Sequence, residues 1–101
     1  MVSTEAWDDD EEVICKANDT IYGLAAGIWS KDVGKAMRIS DRIEAGTIYI
    51  NNYFNAATQS PVGGFKQSGY GRESGWEGMR GFMQTKSVWL STAPFQPDPF
   101  D

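Results

Sequence analysis

The segment "LAAGIWSKDVGKAMRISDRIEAGTIYIN", residues 24–51, determines the fold that we predict for this chain. Its first part, Leu24–Ser30, is an apolar run of the kind that forms a buried strand. Thr47–Asn51 is rich in β-branched and aromatic residues and predicts a second strand. Between the two, apolar side chains recur at helical spacing from the capping residue Ser30 to about Glu44. Strand, helix and strand in this order predict a parallel βαβ unit and therefore an α/β fold.

Shorter elements are predicted on both sides of this unit. In "DDDEEVICKAND", residues 8–19, acids precede apolar residues at helical spacing, which indicates a short helix. Downstream, Ser74 and Glu77 match the S-x-x-E pattern of a capping box and predict a short helix through about Phe82. The final apolar stretch, "TKSVWLS" at residues 85–91, predicts a last strand.

The charges divide the chain into three parts. Residues 1–12 contain six acids and no base, and we interpret them as a solvated, acidic lead-in. Residues 13–91, the predicted folded part, contain nine bases and six acids. Residues 92–101 form a tail with three prolines, which cannot be a central strand. The sequence has no basic cluster of the kind that binds nucleic acid and no apolar run of about 18 residues that could span a membrane. We therefore expect a soluble, cytoplasmic protein.

Residue types missing from the sequence exclude several kinds of chemistry. With a single cysteine and no histidine, the chain has neither an internal disulfide nor an imidazole metal site, and Ser-His and Cys-His catalysis are excluded. Cys15 lies on the apolar face of the first predicted helix, which favours a structural role over a nucleophilic one. We expect no metal site.

The loop "PVGGFKQSGYGRE", residues 61–73, has the glycine content of a phosphate-binding loop. Its G-x-x-x-x-G spacing is followed by Tyr70 and Gly71, where a P-loop has lysine and a hydroxyl residue. The dinucleotide motif G-x-G-x-x-G fails at its third glycine, where Ser74 stands. The pattern favours glycines required by backbone shape, with a nucleotide-binding loop as the weaker alternative.

Three ordered motifs resemble a known family. They are "AND-x-x-YGLAA" from residue 17, "AG-T-x-x-IN" from residue 45 and "P-x-GG-x-K-x-SG-x-GRE-x-G" from residue 61. Together they resemble the C-terminal portion of an NAD(P)-dependent aldehyde dehydrogenase, over about residues 7–91. The resemblance implies a partial catalytic domain of an enzyme that oxidises an aldehyde to a carboxylic acid with NAD or NADP. The family's nucleophile segment "G-Q-x-C" and general-base segment "E-L-G-G-K" do not occur in this sequence. We therefore expect neither activity nor cofactor binding from this chain alone.

The same resemblance implies roles for individual residues. Glu73, in "GRE", corresponds to a glutamate implicated in a proton relay near the active site, although a plain surface ion pair with Arg72 is an alternative. Val62 and Ala56 correspond to positions that line the aldehyde tunnel and are often aromatic in the family. The resemblance implies that residues 52–62 form a substrate loop, and Phe54, which lies in it, is a further candidate.

Two hypotheses of different classes follow. Either the chain is a fragment or domain of an aldehyde dehydrogenase, whose partner is the rest of that enzyme, or it is a stand-alone interaction module derived from the family. The resemblance implies that residues 85–91 are the oligomerisation strand, which would mediate self-association in the second case.

Overall fold

The structure, a computed structural model, describes residues 1–92, 94 and 97–100. Within these residues the chain forms three helices and four short strands. In chain order they are α1 (Asp10–Asn18), β1 (Tyr22–Gly23), β2 (Ala25–Ile28), α2 (Val33–Ser40), β3 (Thr47–Ile50), β4 (Phe65–Lys66) and α3 (Gly75–Arg80). In this described part, no helix is both long and apolar enough to cross a bilayer. The prediction for the tail at residues 92–101 falls partly outside the described residues.

The predicted βαβ unit is confirmed. β2 and β3 pair in parallel, with Ala25 opposite Thr47, and α2 connects them. The helix begins later than predicted, because Asp32 rather than Ser30 accepts the hydrogen bond from the Lys35 amide, at 2.9 Å. It also ends earlier, at Ser40 instead of about residue 44.

A side chain from another element explains this early end. The Asn18 side chain donates to the Arg42 carbonyl at 2.9 Å and accepts from the Glu44 amide at 2.8 Å. The Arg42 carbonyl and the Glu44 amide are thereby bound to Asn18. These contacts replace the backbone hydrogen bonds that the two groups would form in a longer helix. The chain can then turn directly into β3.

β1 and β4 form an antiparallel pair that the sequence does not predict. Tyr22 lies opposite Lys66 and Gly23 opposite Phe65. Each strand has two residues, too few to produce an alternating pattern. The pair attaches the glycine loop to the segment that leads into β2.

Three predictions are wrong in the chain as it folds here. β2 is not buried, since its residues alternate between exposed and half-buried, and the buried apolar residues of the described chain are Ile14 and Ala36. Ser74 forms no capping hydrogen bond, because its φ of 59° lies outside the extended region that a capping side chain requires. Residues 85–91 form no strand, since no strand among the described residues pairs with them.

Candidate functional site

The site centres on a bridge between Val62 and Glu73, at the two ends of the glycine loop. The Val62 amide donates to the Glu73 carbonyl at 2.8 Å, and the Glu73 amide donates to the Val62 carbonyl at 2.7 Å. Directly opposed residues of an antiparallel pair project from the same face. Because both residues are also exposed, the bridge presents an apolar and an acidic side chain side by side.

Close backbone contacts explain the glycines of the loop. A Cβ on Gly63 would lie 2.3 Å from the Gly71 carbonyl oxygen, so the two arms of the loop touch where a side chain cannot fit. A Cβ on Gly46, just before β3, would lie 1.6 Å from the Gly63 oxygen. These distances agree with the interpretation that backbone shape, not phosphate binding, requires these glycines.

The basic residues of the loop are bound to protein groups. Lys66 Nζ lies 2.7 Å from the Asn18 carbonyl and 2.6 Å from a Glu44 carboxylate oxygen. Arg72 Nη1 donates to the carbonyls of Gly64, at 3.1 Å, and of Gly71, at 2.8 Å. Neither cation is placed to hold a phosphate.

The alternative of a surface ion pair between Arg72 and Glu73 is wrong for this structure. Among the described residues, the salt bridges of the chain do not include these two side chains. The Arg72 guanidinium instead lies against the Phe65 ring, 5.7 Å from its centroid. Glu73 itself is exposed.

The other two candidate residues lie in a different part of the surface. Ala56 lines a groove of about 260 Å³ between β3 and the following loop, and Val62 and Glu73 are not part of its lining. Phe54 is 86% exposed and has a φ of 61°, and it does not line the groove either. Polar groove residues are supplied by the same loop: Asn52, Asn55 and Ser60.

This loop is fixed at both of its ends. At its start, the Asn51 side chain accepts from the Ser30 amide at 2.8 Å and donates to the Ser30 carbonyl at 2.9 Å. Near its end, the Thr58 carbonyl accepts from the Gly75 amide, the first residue of α3, at 3.0 Å. The sequence analysis did not identify the structural roles of Asn18, Asn51 and Lys66. Their position at element ends, where polar side chains often bind backbone groups, was the feature that could have indicated these roles.

Electrostatic contacts away from the loop hold α1 against α2 and the turn after it. Asp10 pairs with Lys35 at 2.7 Å, and Glu11 binds Arg42 with both carboxylate oxygens. The hydrogen bonds from Arg42 lower the pKa of Glu11, and the same contact raises the pKa of Arg42. These acids therefore belong to α1 and its contacts, rather than only to a solvated lead-in.

Known proteins are similar to this chain in sequence and in fold. The aldehyde dehydrogenase family matches residues 1–88. A betaine aldehyde dehydrogenase of Bacillus subtilis is 45% identical over 94 residues, which are 93% of this chain and 19% of that protein. The cytosolic aldehyde dehydrogenase 1 of Elephantulus edwardii is 49% identical over 80 residues, which are 79% of this chain and 16% of that protein.

Solved structures agree. A betaine aldehyde dehydrogenase from Staphylococcus aureus in complex with NAD+ superimposes with a TM-score of 0.81 at 39% identity, covering 92% of this chain and 20% of that one. A double mutant of that enzyme, also with NAD+, gives a TM-score of 0.90 at 42% identity over 96% of this chain. All of these proteins are dehydrogenases. The chain belongs to the aldehyde dehydrogenase family, and it spans about a fifth of the length of the relatives that it matches.

Proposed function

We propose that this chain is the C-terminal part of an aldehyde dehydrogenase catalytic domain. The whole enzyme oxidises an aldehyde to a carboxylic acid with NAD or NADP. This chain by itself has no dehydrogenase activity and does not bind the cofactor. The observation that supports the proposal most directly is the Val62–Glu73 bridge, within a loop that carries the third family motif. Because "G-Q-x-C" and "E-L-G-G-K" do not occur in the sequence, the proposal places the nucleophile and the base, together with the dinucleotide site, in the rest of the enzyme.

In this proposal, Glu73 passes protons between solvent and the water-activating base of the complete enzyme. Val62, projecting from the same face, lines the route of the aldehyde, and Ala56 and Phe54 contribute from the substrate loop. Aliphatic residues at positions 62 and 56 give a wider route than aromatic ones would. The Staphylococcus aureus betaine aldehyde dehydrogenase is in complex with NAD+, which supports NAD as the cofactor of the whole protein. The cytosolic relative supports the cytoplasm as its location.

A chimera tests the role of Glu73. We would replace the matched segment of the Bacillus subtilis enzyme with the corresponding residues of this chain and assay a panel of aldehydes. Glu73→Gln is expected to lower kcat by about tenfold or more, because a relay assists acid–base catalysis. The control is Glu77→Gln, which removes another exposed carboxylate, from α3. Equal kcat in the two variants would contradict the relay, and turnover by the 101-residue chain alone would contradict the assignment of catalysis to the rest of the enzyme.

A second candidate function, association through residues 85–91, has its own observation. Val88, Trp89 and Leu90 are 81%, 95% and 85% exposed, an apolar run that the described chain leaves in solvent. The partner is the rest of the dehydrogenase or a second copy of this chain. Light scattering distinguishes the two, since a monodisperse oligomer of the isolated chain would favour self-association.

A further inference from the structure

Three parts of the chain meet at the side chain of Lys66. Its ammonium group donates to the carbonyls of Asn18, at 2.7 Å, and Thr20, at 3.2 Å. It also pairs with the Glu44 carboxylate at 2.6 Å, and the lysine side chain is 26% exposed. An ammonium group has three N–H donors, so these three acceptors use all of them.

These acceptors belong to the end of α1 and to the turn before β3. Asn18 is the last residue of α1, where unpaired carbonyls and the helix dipole favour a positive charge. Lys66 therefore caps a helix that lies 48 residues earlier in the sequence. Asn18 completes the cluster, because its side chain accepts from the Glu44 amide.

The backbone of Lys66 supports the same interpretation. Its φ of 51° is in the left-handed region, which is uncommon for a residue with a side chain. Such a conformation persists where surrounding contacts determine it. Here those contacts are the β1–β4 pairing, opposite Tyr22, and the three acceptors of the ammonium group.

The glycine loop is consequently held both at its base and on its far side. The Val62–Glu73 bridge closes its base, and the β1–β4 pair holds its far side to the segment before β2. The Lys66 side chain binds this far side to the end of α1 and to the turn before β3. A loop closed only at its base could rotate about that bridge. Attachment at a second point sets the direction in which Val62 and Glu73 face.

We propose that Lys66 is a positioning residue, which holds the glycine loop in the orientation that presents Val62 and Glu73. The use of these two residues in catalysis rests on the proposed function, whereas the attachment of the loop by Lys66 does not. The role differs from general stabilisation, because the sheet formed by β2 and β3 has its own hydrogen bonds and receives none from Lys66.

Amide hydrogen exchange of the full 101-residue chain, resolved by NMR, tests the proposal. Lys66→Met is expected to accelerate exchange at the Val62 and Glu73 amides by about tenfold or more, because local opening then needs no break of the lysine contacts. The reference amides are those of Thr47 and Asn51, which donate to the carbonyls of Leu24 and Ile28. Their exchange rates should change less than about twofold. The matched control is Lys86→Met, which removes an exposed lysine outside the loop.

Several results would overturn the proposal. One is protection of Val62 and Glu73 in Lys66→Met equal to that of the wild type, and another is their complete lack of protection in the wild type. If Lys66→Met instead unfolds the whole chain, Glu44→Gln decides. Faster exchange confined to Val62 and Glu73 in that variant supports positioning, while no change or a uniform change contradicts it. The readout needs no catalysis, so an inactive chimera would refute the proposed function without affecting this result.

Discussion

At the scale of single residues, amide side chains at element ends organise the candidate site. Asn51 has a φ of 55°, a conformation that asparagine tolerates better than most residues. Its side chain bonds the amide and carbonyl of Ser30, joining the ends of β2 and β3 where the loop at residues 52–62 begins. Asn18 has the same function for α1 and the turn after α2.

Replacement of Asn51 is expected to destabilise this junction. Asn51→Ala removes two hydrogen bonds, each contributing about 0.5–1.5 kcal/mol, and we expect the free energy of unfolding to fall by about 1–3 kcal/mol. Urea unfolding followed by tryptophan fluorescence measures this free energy. Trp29 is a suitable probe, because its ring centroid lies 6.3 Å from that of Tyr53, beside the junction. Asn52→Ala is the control and should stay within about 0.5 kcal/mol of the wild type. Similar losses in both variants would assign the effect to the loop rather than to the Asn51 contacts.

Predictability from sequence differed between residues for physical reasons. The exposed position of Glu73 and the structural use of the glycines were consistent with local patterns. The partners of Lys66 were not, because they are backbone carbonyls of Asn18 and Thr20, far away in the sequence. No residue-type pattern records which carbonyl a lysine will reach.

At the scale of elements, the same distinction applies. β2 was predictable from its apolar run, β3 from its β-branched and aromatic residues, and α2 from apolar side chains at helical spacing. β1 and β4 have two residues each, and their pairing depends on a contact between distant segments. The prediction for residues 85–91 failed because an apolar, β-branched stretch becomes a strand only beside another strand.

Two ion pairs of α1 make stability depend on pH: one joins α1 to Arg42, after α2, and the other lies within α1. The pKa of Glu11 is lowered by its hydrogen bonds with Arg42, and that of Glu12 by its hydrogen bond with Lys16. A lowered pKa in the folded state means that the carboxylates stabilise the fold above their ordinary pKa of 4.5 and lose this effect as the pH falls through the folded values. We therefore expect the urea midpoint to decrease below about pH 4.5.

Glu11→Gln isolates the contribution of one pair. This variant should have a lower midpoint than the wild type at pH 7 and a smaller decrease on acidification, because the Arg42 pair is already lost. Glu77→Gln removes a carboxylate from α3 and should retain the wild-type dependence. High salt should reduce the difference between Glu11→Gln and wild type at pH 7, since these groups are exposed and their attraction is screened. Parallel pH curves for wild type and Glu11→Gln would contradict the assignment.

At the scale of the whole molecule, the chain buries very little. Its radius of gyration is 22.2 Å, whereas a compact domain of this length has about 13 Å. Its buried apolar residues, in the described part, are Ile14 and Ala36. Such a molecule has its local elements but lacks the surfaces that normally cover them. This agrees with a chain that matches about a fifth of longer relatives and supports packing against further protein.

The exposed apolar run at residues 85–91 gives the last prediction. In the isolated chain, burial of Trp89 and Leu90 against a second copy removes apolar surface from water, so we expect a mass above the monomer value of 11.2 kDa. Replacing both residues with serine should return the mass measured by light scattering toward the monomer. Phe100→Ser is the matched control, because Phe100 is 94% exposed but lies outside this run. If Phe100→Ser dissociates the chain equally well, association arises from general apolar exposure, whereas a selective effect of the double variant identifies residues 85–91 as the interface.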